Sequence, residues 1–261
     1  MMFPMDAGQF GLVYNVLSFS LASMAASTAF FWLRMGSVHE KYKSALVISG
    51  LVTFIAAYHY VRIFNSWCES YEFPKSGGDP VLTGKPFNDA YRYMDWLLTV
   101  PLLLLEIIFC MQLSPADLTR EAWSLGISSG LMIAVGYPGE LYVEGPQLFI
   151  RFVCFVFSFA VFLYIVAKLL VGLKGAIAKE TNPEVASMLN QVCLATVISW
   201  CTYPVVYLFP FMGISGAQAV VGIQLGYCAS DVISKCGVGF LIYNITITKS
   251  RALIDGALLP K

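Results

Sequence analysis

The sequence predicts an all-α protein whose seven helices cross a membrane as one bundle, and three observations predict it. Hydrophobic residues make up 58% of the chain and charged residues 12%. The mean hydropathy is +0.71, well above that of a soluble domain. The apolar residues gather into seven runs, at about 10–34, 44–66, 90–113, 121–138, 147–173, 186–210 and 217–247. Each is near or above the ~20 residues that a helix needs to span the hydrocarbon. Basic residues collect in alternate connections: Lys41 and Lys43 after the first run, Arg120 after the third, Lys174 and Lys179 after the fifth, and Lys249, Arg251 and Lys261 after the seventh. The opposite loops hold Glu69, Glu72, Asp79, Asp89, Glu140 and Glu144 against Lys75 and Lys85. This bias predicts an extracellular N-terminus and a cytoplasmic C-terminus. Residues 1–261 read as a single domain.

Several function classes fall away. The formal net charge is zero, and no basic stripe offers a nucleic-acid surface. The seven cysteines form no CxxC pair, and all but Cys68 lie inside apolar runs, so they read as small packing residues rather than metal ligands or a disulfide framework. Met1 to Phe10 lacks the pattern of a cleavable signal peptide, so the first helix is expected to direct insertion. That helix is uncharged from Phe10 to Leu33, and its middle, from Ala22 to Ser27, is made mostly of small residues, which suits close packing in lipid.

The chemistry lies in the remaining runs. From Val220 to Ile247 the only residues expected to carry charge are Asp231 and Lys235, at i and i+4, one helical turn apart. An unpaired charge at bilayer depth is costly and marks a functional path. Lys235 is then either half of a structural ion pair or an amine that forms a Schiff base with a carbonyl compound, Asp231 supplying counter-charge. The third run reads Arg92-Tyr93-Met94-Asp95-Trp96-Leu97-Leu98-Thr99-Val100-Pro101 and continues through leucines to Glu106. Eleven residues separate the two acids, which on a helix returns to within ~20° of the start, so both face the same way roughly 16 Å apart. No basic residue follows Asp95 on this helix as far as Met111, so Glu106 is expected to be desolvated and neutral. Pro101 removes one helical hydrogen bond and can kink the run.

The second run adds His59 and Arg62, with Tyr58 and Tyr60 as polar-tipped aromatics. Between the second and third runs, Ser76-Gly77-Gly78-Asp79-Pro80 signals a turn, and the flanking Tyr71-Glu72-Phe73 and Val81-Leu82-Thr83 can form a short hairpin. In the fourth run Met132 and Gly136 are either a smooth shelf for a flat ligand or a packing notch. The fifth is rich in phenylalanine, more than one helix can bury. In the sixth, Trp200, Tyr203 and Tyr207 recur at i, i+3 and i+7, with Pro204 as a hinge. Together with the lysine and the acids, they describe an aromatic slot for a long, apolar, carbonyl-bearing molecule.

These residues resemble the microbial (type I) rhodopsins, in particular the proton-pumping proteorhodopsin and xanthorhodopsin branch. The resemblance spans nearly the whole chain and is most specific at Tyr58-His59-Tyr60, at Arg92 to Trp96 through Glu106, and at Asp231 to Lys235. It implies all-trans retinal attached to Lys235, Asp95 as main counterion and first proton acceptor, Asp231 as second counterion, His59 as the acceptor's partner, Glu106 as proton donor and Arg92 as extracellular gate. Tyr60, Trp96, Thr99, Leu103, Met132, Gly136, Trp200, Tyr203, Pro204 and Tyr207 would form the retinal pocket. Leu103 occupies the position that separates green-absorbing from blue-absorbing proteorhodopsins, and leucine implies green. Some relatives hold an antenna carotenoid over a glycine of the fifth helix; Phe155 stands there, which argues against an antenna. The resemblance further implies a light-driven outward proton pump rather than an enzyme, multi-pass in a cell membrane and homo-oligomeric. A photosensor acting through a partner, against which Glu106 argues, and a retinal-free transporter are the alternatives.

Overall fold

A computed structural model describes residues 3–111 and 113–258; Lys261, counted above with the basic residues, lies outside them. Seven helical rods follow one another. They are α1 (Ala7–Arg34), α2 (Lys43–Ser70), α3 (Ala90–Cys110), α4 (Pro115–Glu140), α5 (Leu148–Lys179), α6 (Pro183–Tyr207) and a last rod made of α7 (Gly216–Asp231), a π-helical turn (Val232–Gly237) and α8 (Val238–Leu258). Each rod packs on the next, and the last returns to α1, which closes the ring. Six rods are long and apolar enough to cross a membrane. α4 is long enough but is diluted by glycine and serine from Gly126 to Gly130 and by Gly136 and Gly139. The protein is a multi-pass membrane protein.

Local chemistry explains where the rods begin. Asp6 accepts from the amide of Gln9 at 2.7 Å while the Gln9 side chain accepts from the amide of Asp6, a reciprocal cap. Ser114 and Asn182 cap α4 and α6, each followed by a proline whose missing N–H is no loss at that position. Between α2 and α3, β1 (Tyr71–Glu72) pairs antiparallel with β2 (Val81–Leu82), Tyr71 opposite Leu82. Gly77 and Gly78 turn the connection with φ of 79° and 107°, a region open to glycine without steric cost.

Packing in lipid inverts the soluble pattern. Outward faces carry exposed Phe157, Val171 and Leu33, whereas Arg92, Asp95, Glu106, Arg151, Asp231 and Lys235 are buried. Small residues let rods approach: a Cβ at Gly50 would fall 2.0 Å from the Trp32 indole nitrogen. Thr28 of α1 donates to Thr53 of α2 at 2.8 Å.

Arg151 is a clamp. From the first turn of α5 it donates to the carbonyls of Tyr207, Gly139, Glu140 and Tyr142, pairs with Glu140 at 3.2 Å and lies over the Tyr207 ring. It joins the ends of α4, α5 and α6. Arg151→Gln leaves several carbonyls and a partly buried carboxylate without their donor, and is expected to cost on the order of 3 kcal/mol. Thermal unfolding in detergent should show a lowered Tm. Arg151→Lys should restore only part, because an ammonium lacks the forked geometry.

Candidate functional site

At mid-depth the last rod departs from α geometry. The π turn Val232–Gly237 contains Lys235, so the amine leaves a widened turn rather than the regular helix that the i, i+4 spacing suggested. Lys235 is buried, and its Nζ contacts two carboxylates: it donates to Asp95 Oδ2 across the bundle and lies 3.2 Å from Asp231 Oδ1 on its own rod. Sequence spacing exposed only the second of these pairs.

The carboxylates are held unequally. Asp231 Oδ1 accepts from Tyr203 Oη at 2.7 Å and Trp96 Nε1 at 3.2 Å, and Asp231 Oδ2 accepts from Tyr60 Oη at 2.9 Å with Arg92 Nη1 at 3.9 Å. Both oxygens are therefore engaged. Asp95 Oδ2 meets the lysine, but its buried Oδ1 has no hydrogen-bond partner. A carboxylate with an open oxygen can take a proton without displacing a donor.

Toward the α2–α3 hairpin side lies Arg92, one turn before Asp95. It donates to Tyr60 at 3.2 Å and to Gln224 Oε1 at 2.5 Å, and its Nε lies 3.4 Å from Asp89. Gln224 in turn donates to Asp89 at 3.3 Å. In the opposite direction along α3, Glu106 is fully buried. Ser49 of α2 donates to its Oε1, and its Oε2 has no partner. The eleven-residue spacing thus does set the two acids on the inner face of one helix.

A cavity begins at Lys235 and runs between α3, α4, α5 and α6. Trp96, Leu103, Met132, Gly136, Trp200, Tyr203, Pro204 and Tyr207, all expected in its wall, line it. Gly136 keeps it open: a Cβ there would lie 3.2 Å from Ser158 Oγ and 4.0 Å from the Tyr93 ring. Two expected wall residues are not in it. Tyr60 turns its hydroxyl to Asp231 and Arg92, and Thr99 donates to the carbonyl of Asp95 at 2.8 Å, so both face other neighbours. Tyr93, Ile133, Phe159, Phe162 and Tyr227, none of them expected in the wall, complete it. Phe155 is also in it, stacked on Phe159 with ring centroids 5.2 Å apart.

His59 is buried in α2, and no hydrogen bond joins it to Asp95; its Nδ1 is without a partner, as is Asp95 Oδ1. Arg62, one turn on, is exposed and donates to Tyr91 and Tyr58. All seven cysteines are unpaired, and among the described residues no cluster suits a metal ion.

The sequence profile of bacteriorhodopsin-like proteins matches residues 13–249. The chain belongs to that family. Among bacteriorhodopsin-like relatives, the green-light absorbing proteorhodopsin of gamma-proteobacterium EBAC31A08 is 30% identical over 243 residues, 91% of this chain and 88% of the relative. Bacteriorhodopsin of Halobacterium salinarum is 31% identical over 250 residues, 94% of this chain and 86% of the relative. The crystal structure of xanthorhodopsin, described as a light-driven ion pump with dual chromophore, matches with a TM-score of 0.89 at 38% identity, covering 97% of this chain and 98% of that one. That of thermophilic rhodopsin matches with a TM-score of 0.87 at 40% identity, covering 97% and 99%. As a microbial rhodopsin fold, the bundle offers its buried lysine to the interior and its aromatic slot beside it.

Proposed function

We propose that the chain is a light-driven outward proton pump that carries all-trans retinal on Lys235. The observation that carries this reading is the unequal engagement of the two carboxylates around Lys235 Nζ, at the lysine end of an apolar aromatic cavity. Retinal bound there would supply a light-driven change of shape and a cation at Nζ. Trp96, Leu103, Met132, Gly136, Trp200, Tyr203, Pro204 and Tyr207 would hold it.

Asp95, with its open Oδ1, takes the proton that leaves Nζ. Asp231, its oxygens occupied by Tyr203, Trp96 and Tyr60, stays as fixed counter-charge. Arg92 bars the way from these acids to Asp89 and the outside. Glu106, neutral among apolar neighbours with only Ser49 as partner, holds the proton that later restores Nζ. His59 serves Asp95 by turning its unpartnered Nδ1 toward Oδ1, which would satisfy both orphaned atoms at once. The end of the bundle bearing Lys41, Lys43, Arg120, Lys174, Lys179, Lys249 and Arg251 faces the cytoplasm, and 1–261 forms one domain. Phe155, stacked in the wall, fills the place that an antenna would need.

Support also comes from the names of relatives, a proteorhodopsin and a light-driven ion pump. Cells expressing the chain with retinal should acidify their medium on illumination, and a protonophore should abolish the change. Alkalinisation, or no change, would overturn the reading. Leu103 lines the cavity, so Leu103→Gln should shift the visible band to the blue, because a polar amide there stabilises charge localised near Nζ. An absorption spectrum of the purified pigment decides this, and a red shift would mean that the amide points elsewhere.

A further inference from the structure

A second hollow lies at the end of the bundle away from the hairpin. This cleft of about 750 Å³ is bounded by the turn into α2 at Lys41 and Tyr42, the end of α3, the α5–α6 connection and α8. Its floor reaches Ala45 and Cys110. Each is one turn from the surroundings of Glu106: Ser49 Oγ, which donates to Glu106 Oε1, also lies 3.1 Å from the Ala45 carbonyl, and Cys110 Sγ donates to the Glu106 carbonyl at 3.7 Å. The buried and unpartnered Oε2 of Glu106 therefore sits one helical turn beneath a polar, open cleft.

One ion pair crosses the cleft. Lys249 of α8 meets Glu180 Oε2 at 2.8 Å, and Glu180 Oε1 accepts from the amides of Thr181 and Asn182 at 3.1 and 3.2 Å. The pair is largely shielded, with side-chain exposures of 15% for Lys249 and 9% for Glu180. Burial alone would push the Glu180 carboxyl up, but the Lys249 hydrogen bond, the two amides and the Lys249 charge hold it below the usual carboxylate range. It is thus a carboxylate fixed in place on the α5–α6 connection.

We propose that the Glu180–Lys249 pair is a latch over this cleft, tying the α5–α6 connection to α8 across the opening and setting how readily water reaches the surroundings of Glu106. The proposal rests on the pump reading for the role of Glu106. Glu180 and Lys249 are positioning residues: neither touches the reacting groups, and both set how often the floor is reached from water.

The test uses the full chain and two readouts. The first needs neither light nor retinal: the rate at which N-ethylmaleimide labels Cys110 in the dark, located by peptide mass spectrometry, with the buried Cys228 and Cys236 as internal references. Loss of this ion pair should raise the open fraction, and with it Cys110 labelling in Glu180→Gln and in Lys249→Gln, about fivefold. The references should not move. Lys249→Arg should keep the parent rate, and the exchanged pair Glu180→Lys with Lys249→Glu should return toward it. The second is flash spectroscopy of the retinal-loaded protein, where proton uptake from the medium should quicken by a similar factor while the dark band stays in place. Unchanged Cys110 labelling with unchanged uptake would overturn the latch, as would equal acceleration at all three cysteines, which would mean general loosening. If the parent fails to move protons in light, the pump reading falls, while the labelling still decides whether the pair closes the cleft.

Discussion

Lys235→Ala is expected to yield a membrane protein without a visible band, because only a primary amine at that position can form the covalent link to a carbonyl. The variant also removes the cation between Asp95 and Asp231, and breaking a buried pair in this way typically costs about 3–5 kcal/mol. Lys235→Arg separates the two effects. It keeps a cation against Asp95 and Asp231, so it should be closer to the parent in thermal stability, yet it should remain colourless with added retinal. An absorption spectrum and a thermal scan on both variants make the measurement. Covalent colour in either one would remove the central assignment.

Glu106→Gln is expected to leave the dark colour almost unchanged and to slow the return of the proton to Lys235 Nζ by about 100-fold or more, the usual contribution of a positioned proton donor. The dark colour is spared because a donor that holds its proton in the dark adds no charge, and the group lies far along α3 from the lysine. Glutamine still accepts from Ser49, so packing against α2 is preserved while the exchangeable proton is lost. Azide, a small diffusible acid and base, should partly restore the rate. Flash spectroscopy at neutral pH reads this directly. A variant that recovers as fast as the parent would dismiss Glu106 as donor and favour a photosensor.

Much of the architecture could be read from the residues because a bilayer allows few solutions. Apolar runs of sufficient length form helices, although the caps at Asp6, Ser114 with Pro115 and Asn182 with Pro183 start them earlier than the runs did. Lys235, Asp231, Asp95 and Glu106 stood out because charge is rare at that depth. What lay beyond reach was the rotation of each rod against its neighbours. Tyr60 and Thr99 sit at plausible heights for the cavity wall yet face Asp231 and a backbone carbonyl, and nothing within their own helices distinguishes these choices. Arg151 escaped notice for a related reason: its partners are chiefly main-chain carbonyls, which every residue has. Gln224 carries no charge to flag it, although its amide links Arg92 to Asp89. α4 shows the reverse case, a rod too dilute in apolar residues to qualify alone yet secured by its contacts with α3 and α5.

The π turn at Val232–Gly237 has a consequence for the phase of the last rod. A turn closed by i→i+5 bonds takes in one residue more than an α turn, and one residue is worth roughly 100° of rotation. The stripe of α7 that meets Tyr60 and Arg92 and the stripe of α8 that meets α2 and α6 are therefore offset from the line that an uninterrupted helix would draw. Rewinding the turn as α with every residue kept would swing everything beyond it by about a quarter turn, whereas deleting one residue, for instance Ile233, should let it rewind with the phase beyond it kept. In the first case half of the rod would turn its lipid face toward the interior. The two halves behave as separately indexed pieces joined at the lysine, and a chimera that exchanges one of them between relatives will keep register only if the wide turn travels with it.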